Sequence, residues 1–232
     1  MPPTRLSGLQ AACQPQLAAE ILSVFYFNAR SIRNNLSELH DVLYSGRHRI
    51  ICITETWLCS NFSDSLLDPR SLFNIYRRDR VTKWPAGGVC ILMCKLLSSF
   101  LSEFDFTMFP ETEVNAANLL LDKRKMITVI CTYLPPNLAI EPFRKTLQCI
   151  NKLCSPDGSV ILVGDFNLPA IDWSNMSSPL DAKNIDFLNL CSTFGLTQYV
   201  TEPTRLCNIL DLVLSNDHML IYLIAQLVCH LD

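Results

Sequence analysis

Asp165 and Asn167 stand two positions apart at the end of an apolar run, Val160-Ile161-Leu162-Val163-Gly164, and this spacing is where chemistry first shows in the chain. Residues two apart in an extended segment point to one side, so the acid and the amide can reach one phosphate or one attacking water. Open α/β sheets place their chemistry at such C-terminal strand ends. Gly-Asp and Asn-Leu-Pro are equally the residues of an ordinary turn closing a core strand, and the segment by itself leaves both readings open. Other polar residues fall at the ends of other apolar runs: Asn28, Glu55, and Asp211 just inside the last one. Four convergent positions are harder to read as turns, because a buried carboxylate is costly without a cation or donors. Carboxylate and amide oxygens with no accompanying His or Cys are hard ligands, suited to Mg²⁺, with Mn²⁺ as the substitute, rather than to zinc or copper.

The elements that would position these groups follow from hydrophobic period and β-branching. Residues 1–19 mix Pro, Gln, Ala and Ser without period and read as a loose leader. Ile21 to Phe27 reads as a strand, Ser31 as the cap of a helix to Tyr44 with Leu36, Leu39 and Leu43 on one face, and Arg49 to Thr54 as a second buried strand. Strands are expected at Phe73–Arg78, Gly88–Cys94, Val114–Leu121, Met126–Tyr133 and Ile209–Ser215, and helices at Ile140–Leu153 and Ala182–Phe194. This order predicts a four-layered α/β sandwich, two packed mixed sheets flanked by helices, rather than one doubly wound sheet. One domain spans 20–216, and 217–232 is a divergent apolar tail.

Composition bounds the partners. The 232 residues are 49% hydrophobic, enough for a substantial core, and the net charge of −3 gives no global basic field. Nucleic-acid contact would have to come from local clusters: Arg77, Arg78, Arg80 and Lys83 beside a Gly-Gly turn, Lys123 to Lys125, or Arg30 with Arg33. The 11 cysteines sit mainly inside apolar runs and read as small buried hydrophobes in a reducing compartment. There is no continuous apolar stretch before Ile21, and the tail from Met219 is too short to span a bilayer. An intracellular protein, nuclear or cytoplasmic, with no membrane association and no small-molecule cofactor is expected.

Seven segments in series resemble the exonuclease–endonuclease–phosphatase superfamily, and within it the endonuclease domain of non-LTR (LINE-type) retrotransposons. They are Phe27-Asn28-Ala29-Arg30-Ser31-Ile32, Ile53-Thr54-Glu55-Thr56-Trp57-Leu58, Tyr76-Arg77-Arg78-Asp79-Arg80 with Gly87-Gly88-Val89, Thr132-Tyr133-Leu134-Pro135-Pro136-Asn137, Gly164-Asp165-Phe166-Asn167 with Asp172-Trp173, Thr201-Glu202-Pro203-Thr204-Arg205, and Ile209-Leu210-Asp211-Leu212-Val213-Leu214. The resemblance implies Mg²⁺-dependent nicking of DNA. Glu55 would hold the metal with Asn28 beside it, Asp165 would orient or deprotonate the attacking water, Asn167 would grip the scissile phosphate, and Tyr133 would donate to a phosphate oxygen. Arg78 and Arg80 are the expected substrate contacts.

The resemblance breaks at the end. Family members finish with a Ser-Asp-His segment about two dozen residues past the acid matched by Asp211, and that His pairs with the acid. Here Asp217-His218 follows Asp211 too closely, and His230 is not preceded by an acid. The expectation is a truncated copy lacking the last strand, impaired as a nuclease. The alternatives are a pseudo-nuclease that binds DNA or a protein partner, and a phosphatase of the same fold.

Overall fold

The computed structural model describes residues 22–80, 86–122, 125–218 and 228–230. Its strands are β1 (Val24–Asn28), β2 (Ile50–Thr54), β3 (Phe73–Arg78), β4 (Val89–Cys94), β5 (Ser98–Leu101), β6 (Val114–Asp122), β7 (Lys125–Tyr133), β8 (Ser159–Asp165), β9 (Thr197–Gln198), β10 (Asp211–Ser215) and β11 (Val228–His230). The helices are α1 (Leu36–Tyr44), the single turn α2 (Asp64–Leu67), α3 (Ile140–Leu153) and α4 (Ala182–Phe194). The strands form a five-stranded sheet, β11-β1-β2-β4-β3, and a six-stranded sheet, β5-β6-β7-β8-β10-β9.

Period-two alternation divides the apolar residues of each sheet between two cores. In β1, Val24 and Tyr26 face the other sheet, while Phe25 and Phe27 face α1 with Leu39 and Leu43. On the far side, Ile130, Leu162 and Leu212 pack against Phe143, Leu147 and Ile150 of α3 and Phe187 and Leu190 of α4. Each central strand is therefore buried on both faces and reads in sequence as a continuous apolar run. The predicted four-layered sandwich is what the chain adopts.

Several boundaries differ from expectation. Ser31 makes no side-chain cap, and the residues after it form a 3₁₀ turn, Ile32–Asn34, before α1. The cause is tethering: the Ser31 and Ile32 amides donate to the Glu55 and Thr56 carbonyls at 2.9 and 3.0 Å, so this segment is bound to the end of β2. Strand β5 went unrecognised because an edge strand with exposed Phe100 and Leu101 shows no burial period. The final strand's place is not empty either. Val228–His230 pairs in parallel with β1, placing His230 in register with Asn28, since an open β1 edge offers unpaired backbone groups to any neighbouring segment. Ile21, Lys83, Lys123, Arg124 and most of the tail lie outside the described residues.

Gly164 is the one glycine that the sheet itself demands. A Cβ there would lie 1.9 Å from the Thr132 carbonyl oxygen of β7, closer than any atom tolerates. Replacing it should open the β7–β8 pairing directly behind Asp165. Gly164→Ala is expected to cost about 3 kcal/mol or more of stability, beyond ordinary overpacking. Urea denaturation would check this, and a loss within ordinary surface scatter would contradict the close approach.

Candidate active site

The strand registers bring the polar residues to one end of both sheets. In the first sheet Asn28 pairs with Thr54, one residue before Glu55. In the second, Asp165 pairs with Tyr133 on one side and with Asp211 on the other. Three acids thus approach one another across the seam between the sheets, with Asp165 and Asp211 buried.

Donors from β1 hold this charge together. The Asn28 amide donates to Glu55 Oε1 at 2.7 Å and to Asp165 Oδ2 at 3.1 Å, so one side chain spans both sheets. Its own oxygen accepts the Arg30 amide at 3.2 Å, which fixes the orientation of the group. Two residues earlier, the Tyr26 hydroxyl donates to Asp211 Oδ1 at 2.8 Å and lies 2.9 Å from Thr54 Oγ1. The backbone amides of Leu210 and Asp211 donate to Thr204 Oγ1, so the Thr-Glu-Pro-Thr-Arg segment anchors the start of β10. Glu55 and Asn167 both have φ 49, a left-handed conformation uncommon outside glycine and concentrated at functional sites.

Burial and crowding shift the protonation of these groups. Asp165 is pushed up to about 7, first by burial and then by Asp211 and Glu55, while the Asn28 hydrogen bond works against the rise. Its Oδ1 is buried with no hydrogen-bond partner among the described residues. Tyr133 is raised by burial and by Glu55 and Asp165, so its hydroxyl remains protonated and able to donate. Glu113, also raised by burial, accepts from Arg80 Nε at 2.9 Å and from the Gly88 amide, and its carbonyl accepts the Tyr133 amide at 2.9 Å.

Among the described residues no three His, Cys, Asp or Glu side chains come together closely enough to coordinate one ion. The donor set still fits a hard divalent cation that keeps most of its water: one or two carboxylates suffice for Mg²⁺. Glu55 would supply one, and Asn28 stands beside it.

Each expected residue has a defined place. Asn28, Glu55, Tyr133, Asp165 and Asp211 converge. Asn167 is nearby, but not through the two-residue repeat of an extended strand, because its positive φ turns the chain. Its amide donates to the Leu134 carbonyl at 2.9 Å, leaving one N–H for a phosphate. Arg78 lines a hollow together with Arg80 and Tyr133, and its guanidinium also donates to the Phe109 and Val114 carbonyls and lies 4.6 Å from the Phe106 ring, so it braces the β5–β6 connection as well. Arg80 is paired with Glu113, and its guanidinium carbon lies 5.9 Å from the Tyr133 ring centre. His218 sits at the opposite end of β10, with Nδ1 2.9 Å from the Tyr199 hydroxyl. Thr54 and Thr204 were named only as members of their segments, without a role, and Tyr26 and Glu113 went unnoticed in the sequence. Tyr26 carries a signal, a hydroxyl on an otherwise apolar inward-facing position.

Two outcomes follow from this geometry. Tyr26→Phe leaves Asp211 without that donor and is expected to cost about 1–3 kcal/mol in urea denaturation. For Asp165, a folded pKa raised from 3.8 to about 7 means that the native state holds a proton the unfolded chain releases. Its stabilising contribution is complete at acid pH below the unfolded value and is lost as pH rises through about 7. Metal-free Asp165→Asn should therefore gain on wild type in stability between about pH 4 and about pH 8. A constant difference between the two proteins would show that Asp165 titrates normally.

The comparisons with known proteins agree with the geometry. The family described as endonuclease-reverse transcriptase matches residues 127–231. No curated protein sequence matches the chain. Among solved structures, the endonuclease domain of TRAS1, a telomere-specific non-LTR retrotransposon, superposes with a TM-score of 0.63 at 16% identity, covering 86% of this chain and 87% of that one. The 3′ phosphatase NExo from Neisseria, bound to a product DNA hairpin, gives 0.63 at 15% identity over 86% and 88% of the two chains. The AP endonuclease LMAP from Leishmania major gives 0.61 at 14% identity over 85% and 80%. At such identities the likeness is one of fold. With the matched family and the order of the motifs, it bears out the resemblance read from the sequence: the chain is similar to the exonuclease–endonuclease–phosphatase proteins, the non-LTR retrotransposon endonucleases among them.

Proposed function

We propose that the chain hydrolyses phosphodiesters with the help of a divalent cation and nicks DNA. The observation that carries this reading is the Asn28 amide shared between Glu55 and Asp165, which joins an acid from each sheet at one point. In-line hydrolysis needs an aligned water, positive charge near the phosphoryl oxygens and fixed donors around them. Asp165, with a pKa near neutrality and one unpartnered oxygen, accepts the proton of an attacking water. Tyr133 and the remaining Asn167 N–H donate to the phosphate oxygens as charge builds there. A Mg²⁺ or Mn²⁺ ion held by Glu55, with Asn28 beside it, would supply the Lewis-acid charge that draws in a phosphate the three acids would otherwise repel.

Arg78 and Arg80 are the phosphate contacts that this reading retains from their cluster, and Arg78 braces the fold as well. DNA as the substrate draws its support from the resemblance to retrotransposon endonucleases and from the DNA-bound relative of like fold. The competing reading, a DNA-binding protein without turnover, draws on the acids: among the described residues no three of them come close enough to coordinate one ion.

Nicking of supercoiled plasmid at saturating Mg²⁺ separates the two. Asp165→Ala should slow nicking roughly a hundred- to a thousandfold, as removal of one essential polar group does. Glu55→Gln should raise the Mg²⁺ concentration needed for half-maximal rate. His218→Ala should leave the rate unchanged, since that ring lies at the wrong end of β10. Retention of DNA affinity with no Asp165-dependent nicking would establish the non-catalytic reading.

A further inference from the structure

A second cavity, of about 340 Å³, lies at the end of the five-stranded sheet remote from the carboxylates. It opens where β2 and β3 begin and β4 ends, roughly 17 Å from the first site judged by five residues of β2 at ~3.3 Å each. Among the described residues its lining includes Arg49, Arg70 and Lys95 and no carboxylate, although the chain as a whole carries a net charge of −3. Asp68, bonded to two of the lining residues, is turned to structure: its oxygens accept the Tyr44 hydroxyl at 2.9 Å and the Phe73 amide at 2.7 Å.

The cations are held in place by the fold. The Arg70 guanidinium lies 4.0 Å from the Tyr44 ring centre, and the Arg70 amide donates to the Tyr44 hydroxyl at 3.2 Å. Stacking on a ring face orients the planar fork and leaves its edge N–H groups directed outward. Lys95 Nζ donates to Ser71 Oγ at 2.7 Å, which uses one of its three N–H groups. Backbone bonds from Lys95 to Leu72 and from Cys94 to Arg49 close the rim.

Beneath the rim a buried polar atom has no partner. His48 is 9% exposed, its ring is stacked on Phe25 at 4.7 Å, and its Nδ1 makes no hydrogen bond among the described residues. Burial and Arg47 lower its pKa, so the imidazole is neutral at physiological pH and can meet a hydroxyl or an ester oxygen, according to tautomer. The remaining wall is apolar, with Leu72 and Leu96 substantially exposed. The volume falls at the small end of the range for specific ligand sites.

We propose that this cavity binds a small phosphate monoester with an apolar body, the phosphate at Arg70 and Lys95 and the body against Leu72 and Leu96. An extended polyanion fits less well, because among the described residues the cations gather around one small hollow. This site is independent of the phosphodiesterase reading and would stand if that reading fell.

Isothermal titration of the full chain with phenyl phosphate, and separately with inorganic phosphate, tests the assignment. Metal-free buffer keeps either anion away from the three carboxylates. Phenyl phosphate should bind at least about tenfold more tightly than inorganic phosphate, because only it fills the apolar wall. The double variant Arg70→Gln, Lys95→Gln should weaken phenyl phosphate about tenfold or more without changing the circular dichroism spectrum, since both side chains are exposed. The His48 ring resonances should move on titration in wild type. Absence of saturable binding in the millimolar range, or affinity unchanged by the double variant, would overturn the proposal. So would affinity lost in Glu55→Gln instead, which would place the anion at the carboxylates. A double variant that loses affinity for an oligonucleotide while keeping that for phenyl phosphate would replace the monoester with a nucleic-acid strand.

Discussion

The need to hold three carboxylates together at the seam between two sheets governs the rest of this structure. Glu55, Asp165 and Asp211 come from strands of two different sheets, and each sheet alone would bring like charges to its edge without relief. Relief comes from β1, whose Tyr26 and Asn28 reach across the seam with a hydroxyl and an amide. That arrangement requires β1 to be central, tethered to β2 through Ala29, Ser31 and Ile32, and covered by α1 on its other face. The sandwich is thus the scaffold that lets two residues of one strand hold together a cluster assembled from distant parts of the chain.

Much of this was legible in the residues, for reasons that differ by element. The core strands announce themselves because burial on both faces leaves no room for polar interruption, and the acids stand out as the first polar residues after each run. Positions at strand ends could be named without knowing the pairing, since parallel and antiparallel neighbours alike bring Tyr133, Asp165 and Asp211 to one edge. What sequence could not show was which donors reach which acids. Tyr26 looks like one more aromatic in an apolar strand until the facing sheet is in place, and Glu113 looks like one of several acids in a loop. For Arg78 the pattern of side chains could not show a second attachment: the neighbouring loop presents the Phe109 and Val114 carbonyls to its guanidinium, and backbone carbonyls leave no trace in the residue types.

The same logic separates the two ends of the five-stranded sheet. At one end β1 and β2, with β8 of the facing sheet, finish beside acids and amides, while β3 finishes in Arg77 and Arg78, so both signs of charge meet there. At the other, the turns after α1 and α2 and the end of β4 contribute Arg49, Arg70 and Lys95 around an apolar hollow. The two ends of a sheet only five or six residues deep thus carry different patterns of charge.

The bond between Tyr26 and Asp211 joins residues 185 positions apart, and that between Asn28 and Asp165 residues 137 apart. Closing such loops comes late in folding, because the ordering entropy is spent before the contacts reward it. During synthesis, β1, β2 and β4 emerge and can collapse with α1 well before β8 and β10 leave the ribosome. The inward faces of the early strands, Val24, Ile50, Ile91 and Met93 among them, then have only the β5–β7 part of the second sheet to meet. Until the last third of the chain arrives, this half-sandwich exposes an apolar face and an uncovered hydroxyl and amide, which makes it a natural client for chaperones and a ready seed for aggregation.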